Sequence, residues 1–247
     1  MTKSIHVYVD STYRFGGSTS SFPYNLQDPI QKAKGFKVCT AEIPLSYYNI
    51  RYTGKADDNH IFYFSENNGA TTLQASLASG YYNSTAIVTP LQTALNSASA
   101  NSYTYTVSYN ATTGKFTIAS SGNFKVMYPT WLSVNYVLGF DVVSTTNTTS
   151  QVAQVFPNFD YYQYFFIRFN INSKLRYDES GAQNNVIKIP INNPQGTVQY
   201  FFDNSDTLFE ILDDRATASF TVELFDSDYY PIDLNGREIS MTLQFDY

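Results

Sequence analysis

Short segments in which apolar and polar residues alternate recur along most of this chain. The two clearest lie near its end, where Ala218–Phe225 places Phe220, Val222 and Leu224 on one face and Ile239–Phe245 alternates in the same way. Alternation with a period of two is typical of a strand that buries one face. Because Gly, Pro and Asn separate the segments, as they do at turns, the pattern predicts an all-β fold.

Further segments of this kind are spread over the chain, which gives roughly eight to ten predicted strands. Aromatic residues make up 17% of the sequence and charged residues 15%, a composition typical of β proteins. Such a series of strands favours a sandwich, a barrel or a jelly roll. The additional predicted strands are Ile5–Val9, Phe22–Leu26, Phe36–Ile43, Asn59–Ser65, Tyr164–Ile171, Val186–Ile191 and Val198–Phe202, with a turn expected at Asp28-Pro29.

One stretch interrupts the strand pattern. Apolar residues in Tyr82–Ala98 follow helical spacing, which predicts a helix over Thr89–Ser97 with Pro90 in its first turn and Asn83 or Ser84 as its cap. A β-hairpin is predicted next, because two alternating segments flank a turn that contains Gly114.

The helix and the hairpin together predict a small α+β insertion domain at residues 67–143. The remaining predicted strands then form one β domain from residues 1–66 plus 144–247. Residues 144–150 are rich in Ser and Thr and are expected to be a polar linker.

The charge and the lone cysteine exclude several classes of protein. A net charge of −6 disfavours bulk nucleic-acid binding, which depends on neutralising phosphates. The basic cluster at Lys32–Lys37 is expected to be a solvated turn before a strand. No apolar run is long enough to span a bilayer, and no signal peptide is visible. We therefore expect folding in a reducing cytoplasm, with Cys39 as a buried free thiol.

No group of residues points to catalysis, to a cofactor or to a metal. His6 and His60 lie beside apolar strand residues and are expected to be structural, and no metal-binding or phosphate-binding motif occurs. Clustered carboxylates are expected at turns, with calcium binding as a weaker alternative. These carboxylates are Asp57 with Asp58, Asp213 with Asp214, and Asp226 with Asp228.

Four tyrosine doublets lie close to predicted turns. In a strand, one of two adjacent residues faces outward, and exposed tyrosine is enriched at protein interfaces. We interpret the doublets as a candidate protein–protein interface, with sugar binding or ordinary core and surface placement as alternatives. The candidate interface residues are Tyr47, Tyr48, Tyr81, Tyr82, Tyr161, Tyr162, Tyr229 and Tyr230.

The order of several short motifs resembles that of the penton, or minor capsid, proteins of virophages, polinton-like viruses and giant double-stranded DNA viruses. The resemblance covers about residues 5–245. Its motifs are Asp10-Ser11 with Arg14, Phe22–Leu26, Val38–Pro44, Tyr47–Ile50, Gly80–Tyr82, Tyr109–Phe116, Leu138–Phe140, Val222–Asp226 and Pro231–Gly236.

The resemblance implies a single jelly-roll β-sandwich that carries an insertion. It also implies a structural, non-enzymatic protein of the virion, assembled in the host cytoplasm as a homopentamer at the five-fold vertices of an icosahedral capsid. Its expected partners are copies of itself and a major capsid protein of the double jelly-roll type. The alternative function is a carbohydrate- or receptor-binding β module of a spike or fibre, with a host receptor or glycan as its partner.

Overall fold

The structure is a computed structural model. It describes residues 3–54, 58–127, 132–140, 146–160, 162–171, 185–205, 208–211, 216–226 and 229–247. The chain divides into two compact units, one made of Met1–Tyr47 and Tyr162–Tyr247 and the other of Tyr48–Tyr161.

Fourteen strands and two helices lie within the described residues, numbered here in chain order. The strands of the first unit are β1 (Ser4–Asp10), β2 (Ser21–Ile30), β3 (Gly35–Pro44), β9 (Tyr164–Phe169), β10 (Asn185–Pro190), β11 (Val198–Phe202), β12 (Phe209–Glu210), β13 (Thr217–Phe225) and β14 (Ser240–Asp246). Those of the second unit are β4 (Ile61–Ser65), β5 (Leu73–Ser76), β6 (Tyr105–Asn110), β7 (Lys115–Val126) and β8 (Thr148–Val152), with helices α1 (Val88–Ala98) and α2 (Val134–Val137).

The first unit is a jelly roll. One sheet has the strand order β1-β14-β3-β11, with β12 also paired to β3, and the other has the order β10-β9-β13-β2. All of these pairs are antiparallel, and the first strand pairs with the last, the second with the second last, and so inward to β9 with β10. A long hairpin rolled into two sheets gives this pairing, which is the jelly-roll topology.

The core of the first unit comes from the alternation that the sequence shows. In β14 every second residue is buried, from Met241 to Phe245, because those side chains face the other sheet. Phe36 of β3 joins the two layers: its ring meets Phe169 of the opposite sheet at 5.7 Å and stacks on Phe245 at 5.8 Å. The predicted single jelly-roll sandwich is thus confirmed.

The second unit is a five-stranded antiparallel sheet with the order β5-β4-β7-β6, in which β8 also pairs with β7. Helix α1 packs against β5 and β6 through the buried residues Leu91 and Leu95. The predicted helix and hairpin are both confirmed. The expected helix cap is wrong, however, because Asn83 accepts from the backbone N–H groups of Thr85 and Ala86 in a turn that precedes the helix.

A buried carboxylate ties the end of α1 to the sheet of the second unit. Glu66 accepts hydrogen bonds from the Ser99 hydroxyl at 2.6 Å, the Asn101 backbone N–H at 2.7 Å and the Tyr105 hydroxyl at 2.9 Å. Burial, together with the hydrogen bond to Glu66, raises the pKa of Tyr105 above its usual value. The Tyr105 hydroxyl therefore acts as a donor at any physiological pH.

Replacing Glu66 by alanine is expected to lower the free energy of unfolding by about 2 kcal/mol, because the buried Tyr105 hydroxyl would lose its acceptor. Urea denaturation followed by circular dichroism measures the change. In the control Glu66→Gln, the remaining side-chain oxygen can still accept from Tyr105, so the loss should be about half as large. Equal losses in the two variants would contradict the role given to the Tyr105 bond.

The unit boundaries differ from the predicted ones. The first lies at 47/48 rather than 66/67, because Ile61–Ser65 pairs with β5 and β7 and not with jelly-roll strands. The second lies at 161/162, whereas the predicted boundary at 143/144 falls outside the described residues. Part of the predicted linker is a strand, since β8 begins at Thr148 and pairs with β7.

Two local predictions are wrong. Asp28 and Pro29 lie inside β2, not in a turn; β2 is the edge strand of its sheet, where proline costs no ladder hydrogen bond. Cys39 is half-buried, because its side chain lies on the outer face of β3 beside Gln244, to which the thiol donates at 3.7 Å.

Candidate assembly surface

The predicted interface tyrosines of the first unit include two that are buried. The rings of Tyr47 and Tyr162 meet edge to face at 4.6 Å, and Tyr47 also contacts Phe165 at 5.8 Å. Each belongs to a tyrosine doublet, and the sequence alone does not indicate which of the two rings is buried. These two rings pack within the chain and offer no exposed surface to a partner.

Tyr229 and Tyr230 are half-buried next to β13. Tyr229 has a positive φ of 63°, and its ring stacks on Phe166 at 5.4 Å. The backbone N–H of Tyr230 donates to the buried Asp226 carboxylate at 2.8 Å. Asp226 and Tyr230 are thus joined by hydrogen bonds of the Asp226 side chain and of both backbones. Tyr161 lies outside the described residues.

The predicted tyrosines of the second unit include two exposed rings, Tyr48 and Tyr81. Burial of one side of the Tyr81 ring and the nearby Asp160 carboxylate raise the Tyr81 pKa. Tyr82 is half-buried, and its hydroxyl donates to the Ala78 carbonyl at 3.0 Å. The side chain of Asn49 fixes this segment by bonding both the N–H and the carbonyl of Tyr82.

The most exposed aromatic rings of the first unit were not among the predicted residues. Tyr8, Tyr200 and Phe202 lie on the outer face of the sheet that contains β1 and β11, and Tyr13 and Phe15 lie in the loop after β1. Between 58% and 76% of each residue is exposed. In β11 the polar Gln199 is buried, whereas Tyr200 and Phe202 are exposed and Phe201 is half-buried.

Strand register places these rings at opposite edges of one sheet. Tyr8 is paired with Thr242, Thr242 with Thr40, and Thr40 with Phe202. Directly paired residues share a face, so Tyr8 and Phe202 end a single cross-strand row. The residues between them are threonines, which carry no charge.

The outer face of the other sheet is different. Arg168 forms an ion pair with Glu223 at 2.7 Å and lies over the Phe225 ring at 4.4 Å. The Lys188 ammonium lies 3.9 Å from the centre of the Tyr164 ring. Cations therefore cover aromatic rings on this face, whereas the rings on the β1 and β11 edges stay open.

The backbone at both of those edges is partly covered by the chain's own side chains. The Tyr24 hydroxyl donates to the Tyr8 carbonyl at 2.9 Å, and burial and the nearby Asp10 raise the Tyr24 pKa. At the β11 edge, the Asn193 amide donates to the Val198 carbonyl at 2.7 Å and Gln199 to the Tyr200 carbonyl at 3.0 Å. Such covering disfavours the addition of a further strand.

A polar cluster fixes the loop that carries Tyr13 and Phe15. The Arg14 guanidinium donates to both carboxylate oxygens of Glu238, at 2.8 and 2.9 Å, and to the Ser11 carbonyl at 2.6 Å. The buried Ser11 hydroxyl donates to Glu238 and accepts from the Ile239 backbone N–H. The motif Asp10-Ser11 with Arg14 thus ties the end of β1 to the start of β14.

The sequence matches no protein-family profile and no curated protein. Among solved structures, the crystal structure of the mavirus penton protein aligns with 98% of this chain and 99% of its own, with a TM-score of 0.55 and 13% sequence identity. This chain has a fold similar to that of the mavirus penton protein. The likeness concerns the fold, and it agrees with the jelly-roll topology read from the strand pairing.

The predicted acidic turns form no shared centre in the described part of the chain. Asp58 accepts from the backbone N–H groups of Thr53 and Gly54, and these bonds outweigh the effect of partial burial and lower its pKa. Asp57, Asp213, Asp214 and Asp228 fall outside the described residues. Among the residues described, no group of three or more His, Cys, Asp or Glu side chains is arranged to hold a metal.

The two histidines have different surroundings. His6 is exposed on the outer face of β1, and His60 stacks against Tyr52 with ring centres 4.2 Å apart. Burial lowers the His60 pKa, so this ring is neutral at physiological pH. Neither helix in the described residues has the length and hydrophobicity that crossing a membrane requires.

Proposed function

We propose that this chain is a penton, the subunit that assembles as a homopentamer at the five-fold vertices of an icosahedral viral capsid. The observation that carries the proposal is the jelly roll, whose likeness to the mavirus penton protein spans nearly the whole of both chains. On this proposal the protein is structural rather than enzymatic, it belongs to the virion, and it is assembled in the host cytoplasm.

The surface of the jelly roll supports a role in assembly. A ring of five identical subunits uses a heterologous contact, in which one patch docks on a different patch of the neighbour. The centre of such a contact is rich in aromatic residues and poor in charge. Tyr8 and Phe202 with the threonines between them have this character, and the exposed Tyr200 lies opposite Glu42.

The second proposed partner is a major capsid protein of the double jelly-roll type, which would surround each vertex. We assign Tyr48 and Tyr81, the exposed members of the predicted tyrosine doublets, to contacts with other subunits of the shell. Both lie on the second unit, so these contacts would be additional to those made by the exposed rings Tyr8, Tyr200 and Phe202 of the jelly roll. The alternative function, a carbohydrate- or receptor-binding module, predicts that Tyr81→Ala abolishes binding on a glycan array.

Multi-angle light scattering of the purified chain tests the proposal. The expected mass is about five times the 27.9 kDa of one chain, with a concentration-dependent loss of mass on dilution. A species that keeps the mass of one chain at the highest concentration reached, with an intact jelly roll by circular dichroism, would contradict it.

A further inference from the structure

We propose that copies of this chain join head to tail through two aromatic patches at opposite edges of one jelly-roll sheet. The β11 patch consists of Tyr200 and Phe202, and the β1 patch consists of Tyr8, Tyr13 and Phe15. The β11 patch of one copy docks on the β1 patch of the next. The inference rests on the proposed function, because it names the surfaces by which a ring of copies would form.

The placement of the patches carries the inference. β1 and β11 are the two ends of the order β1-β14-β3-β11, about 14 Å apart at three strand spacings. The loop with Tyr13 and Phe15 leads from β1 to β2, the edge strand of the other sheet, so it lies on the β1 side of the sandwich. Each copy thus presents two different patches, as the heterologous contact of a closed ring requires.

The area of the patches fits the centre of an interface between two copies. At the observed exposure, the rings offer roughly 300 Å² on the β11 patch and roughly 400 Å² on the β1 patch. A stable interface covers about 800 Å² on each partner, with an apolar centre and a polar rim. The rings supply a third to a half of each side, and the neighbouring polar residues of the sheet supply the rim.

The contact uses side chains rather than strand pairing. Thr197 and Asp203 bond to β3 through their backbones, so the carbonyls of the even-numbered residues of β11 point to the open edge. Two of these, Val198 and Tyr200, already accept from side-chain amides, as Tyr8 of β1 does from a hydroxyl. A strand from a second copy would have to displace these bonds, whereas aromatic rings can pack without doing so.

Two variants test the inference, each with two rings of one patch removed: Tyr200→Ser with Phe202→Ser, and Tyr13→Ser with Phe15→Ser. The matched control is Phe156→Ser, which removes a ring that is 70% exposed on the second unit. All three should keep the circular dichroism spectrum of the wild type, because the changed rings are exposed. Each double variant is expected to associate at least about 30-fold more weakly than the wild type, while the control assembles normally.

A mixture of the two double variants gives the sharpest result. Each variant alone should have the mass of one chain, and an equal mixture should form a dimer and no larger species, because only one intact pair of patches remains. Four results would overturn the inference. These are a double variant that still forms the wild-type oligomer, a double variant that dimerises alone, a mixture that stays monomeric, and a control that also fails to assemble. If a double variant still forms a pentamer like the wild type, the inference fails but the proposed function stands. If the wild type itself is a monomer, the inference and the proposed function both fail.

Discussion

Replacing Phe36 by alanine is expected to lower the free energy of unfolding by about 4 kcal/mol. Phe36 is fully buried, and its ring contacts Phe169 on the opposite sheet and Phe245 on its own. The substitution removes these ring contacts and leaves a cavity between the two layers, which the surrounding strands can fill only in part. Urea denaturation followed by far-ultraviolet circular dichroism measures the loss.

The variant Phe36→Leu is the matched control, since leucine retains most of the buried apolar volume and should cost about 1 kcal/mol. Because the proposed assembly uses the surface of this sandwich, the alanine variant should also assemble more weakly than the wild type if the proposal holds. A loss below about 1 kcal/mol in Phe36→Ala would contradict the packing of the two sheets through this ring.

The substitution Gly139→Ala is expected to cost at least about 3 kcal/mol. Gly139 has a positive φ of 83°, and a Cβ atom there would lie 2.2 Å from the Val155 carbonyl oxygen. This segment cannot move aside freely, because the Gly139 carbonyl accepts from the N–H groups of both Gln154 and Val155. The motif Leu138–Phe140 therefore needs glycine at its centre. Thermal and urea unfolding both report the loss.

The control Gly69→Ala separates backbone strain from the steric clash. Gly69 belongs to the same unit and has a φ of 93°, but no atom lies within 4 Å of the position its Cβ would take. Strain alone should cost about 1 kcal/mol there. If both glycine variants lose the same stability, the close approach of Val155 plays no part.

Strand positions follow from the sequence because alternation is a local property. The predicted segment Val198–Phe202 matches β11, and Ile239–Phe245 lies within one residue of β14. The partner of a strand is not a local property. Ile61–Ser65 is a short apolar segment that predicts a strand as the jelly-roll segments do, yet it pairs with β5 and β7, so the boundary of the second unit could not be located from the pattern.

The surface residues were harder to predict for the same reason. The described residues of the tyrosine doublets lie outside strands, so the alternation of faces along a strand did not apply to them, and Tyr162 covers the Tyr47 ring. The exposed residues Tyr200 and Phe202 follow a buried glutamine, Gln199, which accepts from the Asn192 backbone N–H at 2.9 Å. A strand that buries a polar residue and exposes two aromatic ones was the available signal, and it becomes clear only when β11 is known to be an edge strand.

Electron microscopy of the purified protein counts the subunits of the proposed ring and shows how they are arranged. We expect class averages with five-fold rotational symmetry, in which each copy contacts two neighbours through different faces. Images of single copies, of two-fold symmetric dimers or of open filaments would contradict the proposed ring.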